Sequence, residues 1–240
     1  MAIDTQPLVF AGDSRGRRPP PGLKGWLFAL NRQMDWLLER IQYCEYDETS
    51  VRNAIGFTPI ERAFLALEDR RFYQHSGIDW FFIPRLARQI ATFKRPGGVS
   101  TIEQQLVRTL LERRERTLSR KSREMILSWI LAHRISKKDI ILSYMSNAYL
   151  GYRLRGVDQV SRFIFNVDAK DLDLDQAMVV SSMLVYPMPK NVRNNIVGGV
   201  DVSANEFLFN TAQLNKKWNT RIRRRVRYGL AFASKIKEPR

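Results

Sequence analysis

The chain has 240 residues, 44% of them hydrophobic and 11% aromatic, and a net charge of +16. That size and apolar content exclude a disordered chain and allow one sizeable core, hence one domain or at most two. The positive excess points to a polyanionic partner, whether nucleic acid, an anionic membrane surface or a phosphorylated substrate, and charge alone does not choose among them.

Residues 1–21 read as a disordered lead that closes on Pro19-Pro20-Pro21. They lack the basic start, apolar run and small-residue cleavage site of a secretory signal. No apolar run anywhere approaches the ~18–20 residues that span a bilayer. The expectation is a chain that is neither a secreted precursor nor an integral membrane protein as written. Leu23, Trp26, Leu27, Leu30, Met34, Leu37, Leu38 and Ile41 recur at helical steps. They predict an amphipathic helix that either packs on the core or lies on a membrane, with Lys24, Arg32 and Arg40 near its polar side. Cys44 is the only cysteine, so no intramolecular disulfide forms.

Thr58-Pro59-Ile60-Glu61 is a helix start: Thr58 caps, Pro59 suits the first position and Glu61 completes a capping box. This helix is predicted to run to about His75, with Gly77 just past its end. A helix near 79–93 follows, then the breaker Pro96-Gly97-Gly98. Ser100 and Glu103 have capping-box spacing and open a helix through about Glu112. A basic stretch from Arg113 to Arg123 leads into a helix with the apolar stripe Leu118, Met125, Ile126, Trp129 and Ile130. Ser136 and Asp139 start the next helix, which ends before Gly151. Further helices fit 156–165, 174–185 and 203–230. Strand-like alternation is nearly absent, so the fold class is all-α.

Three stretches carry candidate chemistry. In LALEDRRFYQHSGID, 65–79, an unbroken helix would put Glu68, Phe72 and His75 on one face, with Arg71 one turn from Glu68. Glu68 there is either a surface acid with an arginine neighbour or a base projected over a groove. In PGGVSTIEQQLVR, 96–108, a Gly-Gly turn opens a helix at Ser100 and Thr101 whose amides attract anions. Gln104 and Arg108 share a face and Gln105 adjoins them. They form either a groove wall for sugar or phosphate, or an ordinary surface helix. In RERTLSRKSRE, 114–124, Arg116, Arg120, Lys121 and Arg123 crowd around Glu124. This is a solvated basic face, a nucleic-acid contact or a diphosphate clamp, since the arginine fork matches phosphate oxygens. Nearby positive charge should keep Glu124 ionised.

In this order the stretches resemble the peptidoglycan glycosyltransferases of family 51. EDRRFYQHSG at 68–77 matches the family's E-D-x-x-F-x-x-H-x-G motif, and GVSTIEQQLVR at 98–108 matches G-[GA]-S-T-I-x-Q-Q plus a basic residue apart from Val99 at the second place. RKSRE at 120–124 matches R-K-x-x-E, and SKKDIILSYMSNAYLG at 136–151 resembles S-K-x-x-I-L-x-x-Y-x-N-x-x-x-x-G, with Ile141 at the Leu place and Asn147 one place past the Asn. A weaker fifth region lies at 156–189, so the resemblance covers roughly 52–190. It implies a lysozyme-like all-α fold: lead and amphipathic helix over 1–50, glycosyltransferase domain over 51–190, and a basic helical extension over 191–240.

The resemblance implies transfer of a growing glycan from polyprenyl diphosphate to lipid II, with inversion. Glu68 would be the general base and Glu124 the second essential glutamate, assisting at the diphosphate or its metal, an Mg²⁺ or Mn²⁺ ion. Ser100, Thr101, Gln104 and Gln105 match groove residues, and Arg108, Arg116, Arg120, Lys121 and Arg123 the basic, diphosphate-binding positions. Asp69, Phe72, His75 and Gly77 match framework positions, with Asp69 structural or metal-associated, and Asn147, next to the fourth motif's Asn place, is assigned to the framework with them. By the same resemblance the chain works at the outer, periplasmic face of the cytoplasmic membrane, with peripheral contact to anionic lipid and room for cell-wall synthesis partners.

Several features depart from the family. Its members usually carry an N-terminal transmembrane anchor, and the segment at 23–41 is expected to serve, if at all, as a peripheral one. Arg108 stands where Lys is commoner and Glu103 where Thr or Ser is usual. His133 and Arg134 stand where an acid often follows the third motif. No transpeptidase domain follows residue 190, so the expected enzyme is monofunctional. The alternatives are a non-catalytic binder of lipid II or its precursors on the same fold, a lysozyme-like hydrolase and, ranked lowest, a nucleic-acid-binding protein. The run Arg221, Arg223, Arg224, Arg225 and Arg227 is expected to contact anionic lipid headgroups.

Overall fold

A computed structural model of the chain describes residues 22–42, 56–82, 84, 88, 92, 100–112, 117–196 and 198–236. The helices are α1 (Gly22–Gln42), α2 (Pro59–Glu68), α3 (Ile102–Leu110), α4 (Leu118–Arg134), α5 (Lys137–Asn147), α6 (Val157–Phe165), α7 (Leu174–Ser182), α8 (Lys190–Asn195), α9 (Ala204–Leu214) and α10 (Lys216–Ala233). The architecture is all-α. Its one departure among the described residues is a small antiparallel hairpin, Tyr149–Gly151 with Leu154–Arg155, which the sequence pattern did not reveal.

Two groups of helices share one core. In the first, α2, α7 and α10 pack on one another. Gly229 makes this possible, because a Cβ there would come within 2.5 Å of Met178 Sδ and 2.9 Å of Leu67. In the second, α3 lies between α4 and α5, and α1 packs across all three. Leu30, Met34, Leu37 and Ile41 of α1 are buried in that contact, while Leu23 and Leu27 stay exposed.

Local capping explains several boundaries. The box at α2 forms: Thr58 Oγ1 accepts from Glu61 N–H, and Glu61 Oε2 accepts from Thr58 N–H at 2.9 Å. Ser136 caps α5 by accepting from Asp139 N–H.

Four sequence expectations are corrected. First, α2 stops at Glu68 instead of running to His75, so Glu68, Phe72 and His75 do not share a helix face. Asp69 leaves the helix because its carboxylate accepts from Arg71 N–H, from Ile102 N–H and from His75 Nε2–H, and no single helix supplies those three partners. Second, α3 is capped by Thr101, not Ser100, and Glu103 turns inward to Lys137 instead of back to the cap. Third, the buried face of α4 is Glu124, Leu127, Ser128 and Leu131, while Trp129 is 50% exposed. Fourth, the expected helix 203–230 is two helices, broken at Asn215, whose side chain caps α10. Within the helix expected near 79–93, Trp80–Phe82 is a single 3₁₀ turn, and much of the remainder lies outside the described residues.

Candidate active site

The site forms where the two helix groups meet. Glu68 ends α2, and Asp69 turns the chain sharply away from it. The following 3₁₀ turn, Phe72–Gln74, buries Phe72 against Tyr73 and His75. Gly77 then presses against the backbone of α4. A Cβ at Gly77 would fall 2.3 Å from Ser128 O, and its φ of +80° already suits only glycine. Gly77 O accepts from Thr101 Oγ1–H at 2.8 Å and from Gln104 Nε2–H at 3.3 Å. Thr101 and Gln104, expected along a groove wall, therefore tie the 69–79 segment to α3.

Glu68 is nearly buried, its side chain 10% exposed. Both carboxylate oxygens are engaged. Oε2 accepts from Gln105 Nε2–H at 3.1 Å, and Oε1 pairs with Arg225 of α10. Gln105 is itself oriented by Tyr144, whose hydroxyl donates to Oε1 at 2.7 Å. Burial pushes the Glu68 carboxyl above its ordinary range, a shift that Arg225, Gln105 and Arg108 oppose but do not cancel. Burial also raises the Tyr144 phenol, with Glu68 adding to the effect, so Tyr144 stays a neutral donor. Arg71 pairs with Asp79 at 3.0 Å and lies over Phe81, not beside Glu68.

The second constellation opens α4. Glu124 is 3% exposed, paired with Arg120 and 3.5 Å from Lys121 Nζ. Lys121 Nζ also donates to Ser100 Oγ at 3.1 Å and to Gln104 Oε1 at 2.6 Å. Burial lowers the Lys121 ammonium, Glu124 opposes that shift, and Arg108 reinforces it. Exposed Arg108 thus sits close enough to act on Glu68 at one end and Lys121 at the other. Arg108, Arg120, Arg123 and Glu124 line one small depression with Val107 and Leu111. Arg116 lies outside the described residues. Asn147 ends α5, its amide donating to Ser143 O at 2.9 Å.

The site as built is an acid held by a glutamine and an arginine beside a bank of cations. A family model described as Transglycosylase matches residues 41–208. The chain belongs to the transglycosylase family. It is 37% identical over 139 residues to penicillin-binding protein 2a of Streptococcus pneumoniae, covering 57% of this chain and 18% of that protein. It is 36% identical over 132 residues to penicillin-binding protein 1A of Escherichia coli, covering 54% of this chain and 15% of that one. It is 34% identical over 155 residues to the biosynthetic peptidoglycan transglycosylase of Acinetobacter baylyi, covering 64% of this chain and 65% of that protein. The chain thus spans less than a fifth of those penicillin-binding proteins and about two thirds of the transglycosylase.

Two residues of this site escaped the sequence reading. Tyr144 lies inside the fourth motif, at its fixed tyrosine place, which is the signal it carried. Arg225 carried none: it is one of five arginines in a run, and only the packing of α10 on α2 turns it to Glu68. Glu103, where the family resemblance leads one to expect Thr or Ser, is fully buried. It pairs with Lys137, which also lies 4.3 Å from the Phe72 ring centroid, and stands 3.9 Å from His75 Nδ1. Burial pushes its carboxyl up, and Lys137 is the chief opposing charge.

Proposed function

We propose that the chain is a peptidoglycan glycosyltransferase that polymerises lipid II into glycan strands. The observation that carries this reading is the environment of Glu68. A carboxylate accepts a proton well when burial raises its affinity, and it is ready only if it stays ionised. Burial supplies the first condition, and Arg225, Gln105 and Arg108 act toward the second by lowering the carboxyl against that burial. With both oxygens anchored, the carboxylate keeps one orientation and retains lone pairs for an incoming hydroxyl.

In the proposed reaction the 4-hydroxyl of the acceptor sugar attacks the anomeric carbon of the donor while Glu68 takes its proton. The bond from that carbon to the diphosphate oxygen breaks, and polyprenyl diphosphate leaves with the electron pair. Attack opposite the leaving group inverts the anomeric centre. Arg108, Arg120, Lys121 and Arg123 offset the charge that develops on the leaving group. Glu124 spaces Arg120 and Lys121 by pairing with both.

The residues present do not fit a protein-held Mg²⁺ or Mn²⁺ ion. Such ions take several oxygen ligands, whereas Glu124 is flanked by two cations. Asp69, His75 and Glu103 bring ligand atoms within 4.8 Å of one another. However, Asp69 Oδ2 already serves Ile102 N–H and His75, and the Lys137 ammonium takes Glu103 Oε1, which leaves only Glu103 Oε2 and His75 Nδ1 without a hydrogen-bond partner, too few for such an ion. The side chains carry the charge balance in the reaction written above.

The test is lipid II polymerisation in detergent by wild type and Glu68→Gln. Glycan product from wild type and its loss in the variant, with lipid II binding retained, is the expected result. Intact polymerisation by Glu68→Gln would overturn the base assignment. Binding without turnover in wild type would replace the enzyme with a precursor-binding protein. Cleavage of finished strands would make it a hydrolase.

A further inference from the structure

Helix α10 has two working faces. It carries seven lysines and arginines, Lys216, Lys217, Arg221, Arg223, Arg224, Arg225 and Arg227, and no carboxylate. Two of the arginines turn toward the protein: Arg225 to Glu68, and Arg223 to Asn219 Oδ1 at 2.9 Å. Lys217, Arg221, Arg224 and Tyr228 follow at helical steps of four, three and four, so they form one stripe. All four are exposed, with Lys216 and Arg227 exposed beside them. Among the described residues, none of Lys217, Arg221, Arg224 and Arg227 has a carboxylate within salt-bridge distance. The opposite face, Trp218, Ile222, Val226 and Ala233, is buried in the core.

We propose that this outer stripe is a docking surface for anionic phospholipid headgroups. Its charge complements such a surface, and clustered basic residues gain attraction near anionic lipid additively. Its composition favours a bilayer over a nucleic acid. The stripe ends in aromatics: Tyr228 is 46% exposed, and Phe232 packs against it at a tilt, ring centroids 4.8 Å apart, with Arg70 and Lys235 on its ring. Arg70 reaches that end of α10, and its neighbour Arg71 lies over Phe81. Two consecutive residues therefore link the stripe to the exposed pair Trp80 (65%) and Phe81 (70%). Cations beside amphipathic and apolar rings suit the boundary between headgroups and acyl chains. The same helix then sits on lipid with one face and steadies Glu68 with the other.

The experiment is co-sedimentation of the whole chain with vesicles of pure phosphatidylcholine and of phosphatidylcholine mixed with phosphatidylglycerol. Wild type should bind the mixed vesicles selectively, and salt should weaken binding. The variant Lys217→Gln/Arg221→Gln/Arg224→Gln should bind them more weakly by on the order of tenfold or more. Arg225→Gln should bind vesicles like wild type, because it alters the inner face. That arm separates damage to docking from damage to the proposed chemistry. Equal binding to both vesicle types, or full binding by the triple variant, would overturn the assignment. So would tight duplex binding lost in the triple variant while vesicle binding stays intact.

Discussion

Glu68 and Glu124 are both glutamates held beside arginine with little exposure, yet their surroundings differ in kind. Glu68 draws its partners from distant segments: Gln105 of α3 and Arg225 of α10. Glu124 takes Arg120 and Lys121 from its own helix, one turn before it. Partners gathered across the fold hold a carboxylate rigidly and can tune its proton affinity. Partners on the same turn mainly arrange themselves around it. One glutamate is thus built to exchange a proton, and the other to organise cations.

Substitutions break this contrast in graded ways. Glu68→Gln keeps the shape and removes the base, so turnover should fall by about 10²–10⁴-fold with lipid II binding little changed. Single-turnover kinetics check this. Glu124→Gln should cost roughly ten- to a hundredfold, because it weakens charge-assisted bonds that place Arg120 and Lys121. That loss should appear largely as a raised KM in a substrate titration. Tyr144→Phe frees Gln105 Oε1 and should reduce turnover by less than about tenfold, the scale of one hydrogen bond. A third acid, the buried Glu103, supplies the control. Glu103→Gln should leave turnover nearly unchanged but lower stability by roughly 1–3 kcal/mol, as Lys137 loses its buried partner, measured by denaturant unfolding.

The sequence made legible what is local. Thr58 with Glu61, and Ser136 with Asp139, announce helix starts within four residues, and both caps form. The all-α class followed from helical periodicity and the near-absence of alternation. What escaped was decided by contacts distant in sequence. Asp69 ends α2 through Ile102 N–H, which the residues around it could not reveal. Glu103 has the spacing of a cap from Ser100, but its lysine partner is in another helix. Arg225 was invisible because neighbouring arginines in a run differ only in the direction the helix gives them. The basic C-terminal cluster therefore has two parts, and the sequence pattern merged them.

The most direct test of Glu68 as a tuned base is the pH dependence of glycan polymerisation in Arg225→Gln against wild type. Arg225 is the largest influence lowering the Glu68 carboxyl against its burial. Without it the carboxyl holds its proton to higher pH, and a base acts only when deprotonated. The acid limb of the profile should therefore move to higher pH, with residual activity recovering as pH rises. An acid limb that stays in place while activity falls equally at every pH would contradict the assignment of Glu68 as the proton acceptor steadied by Arg225.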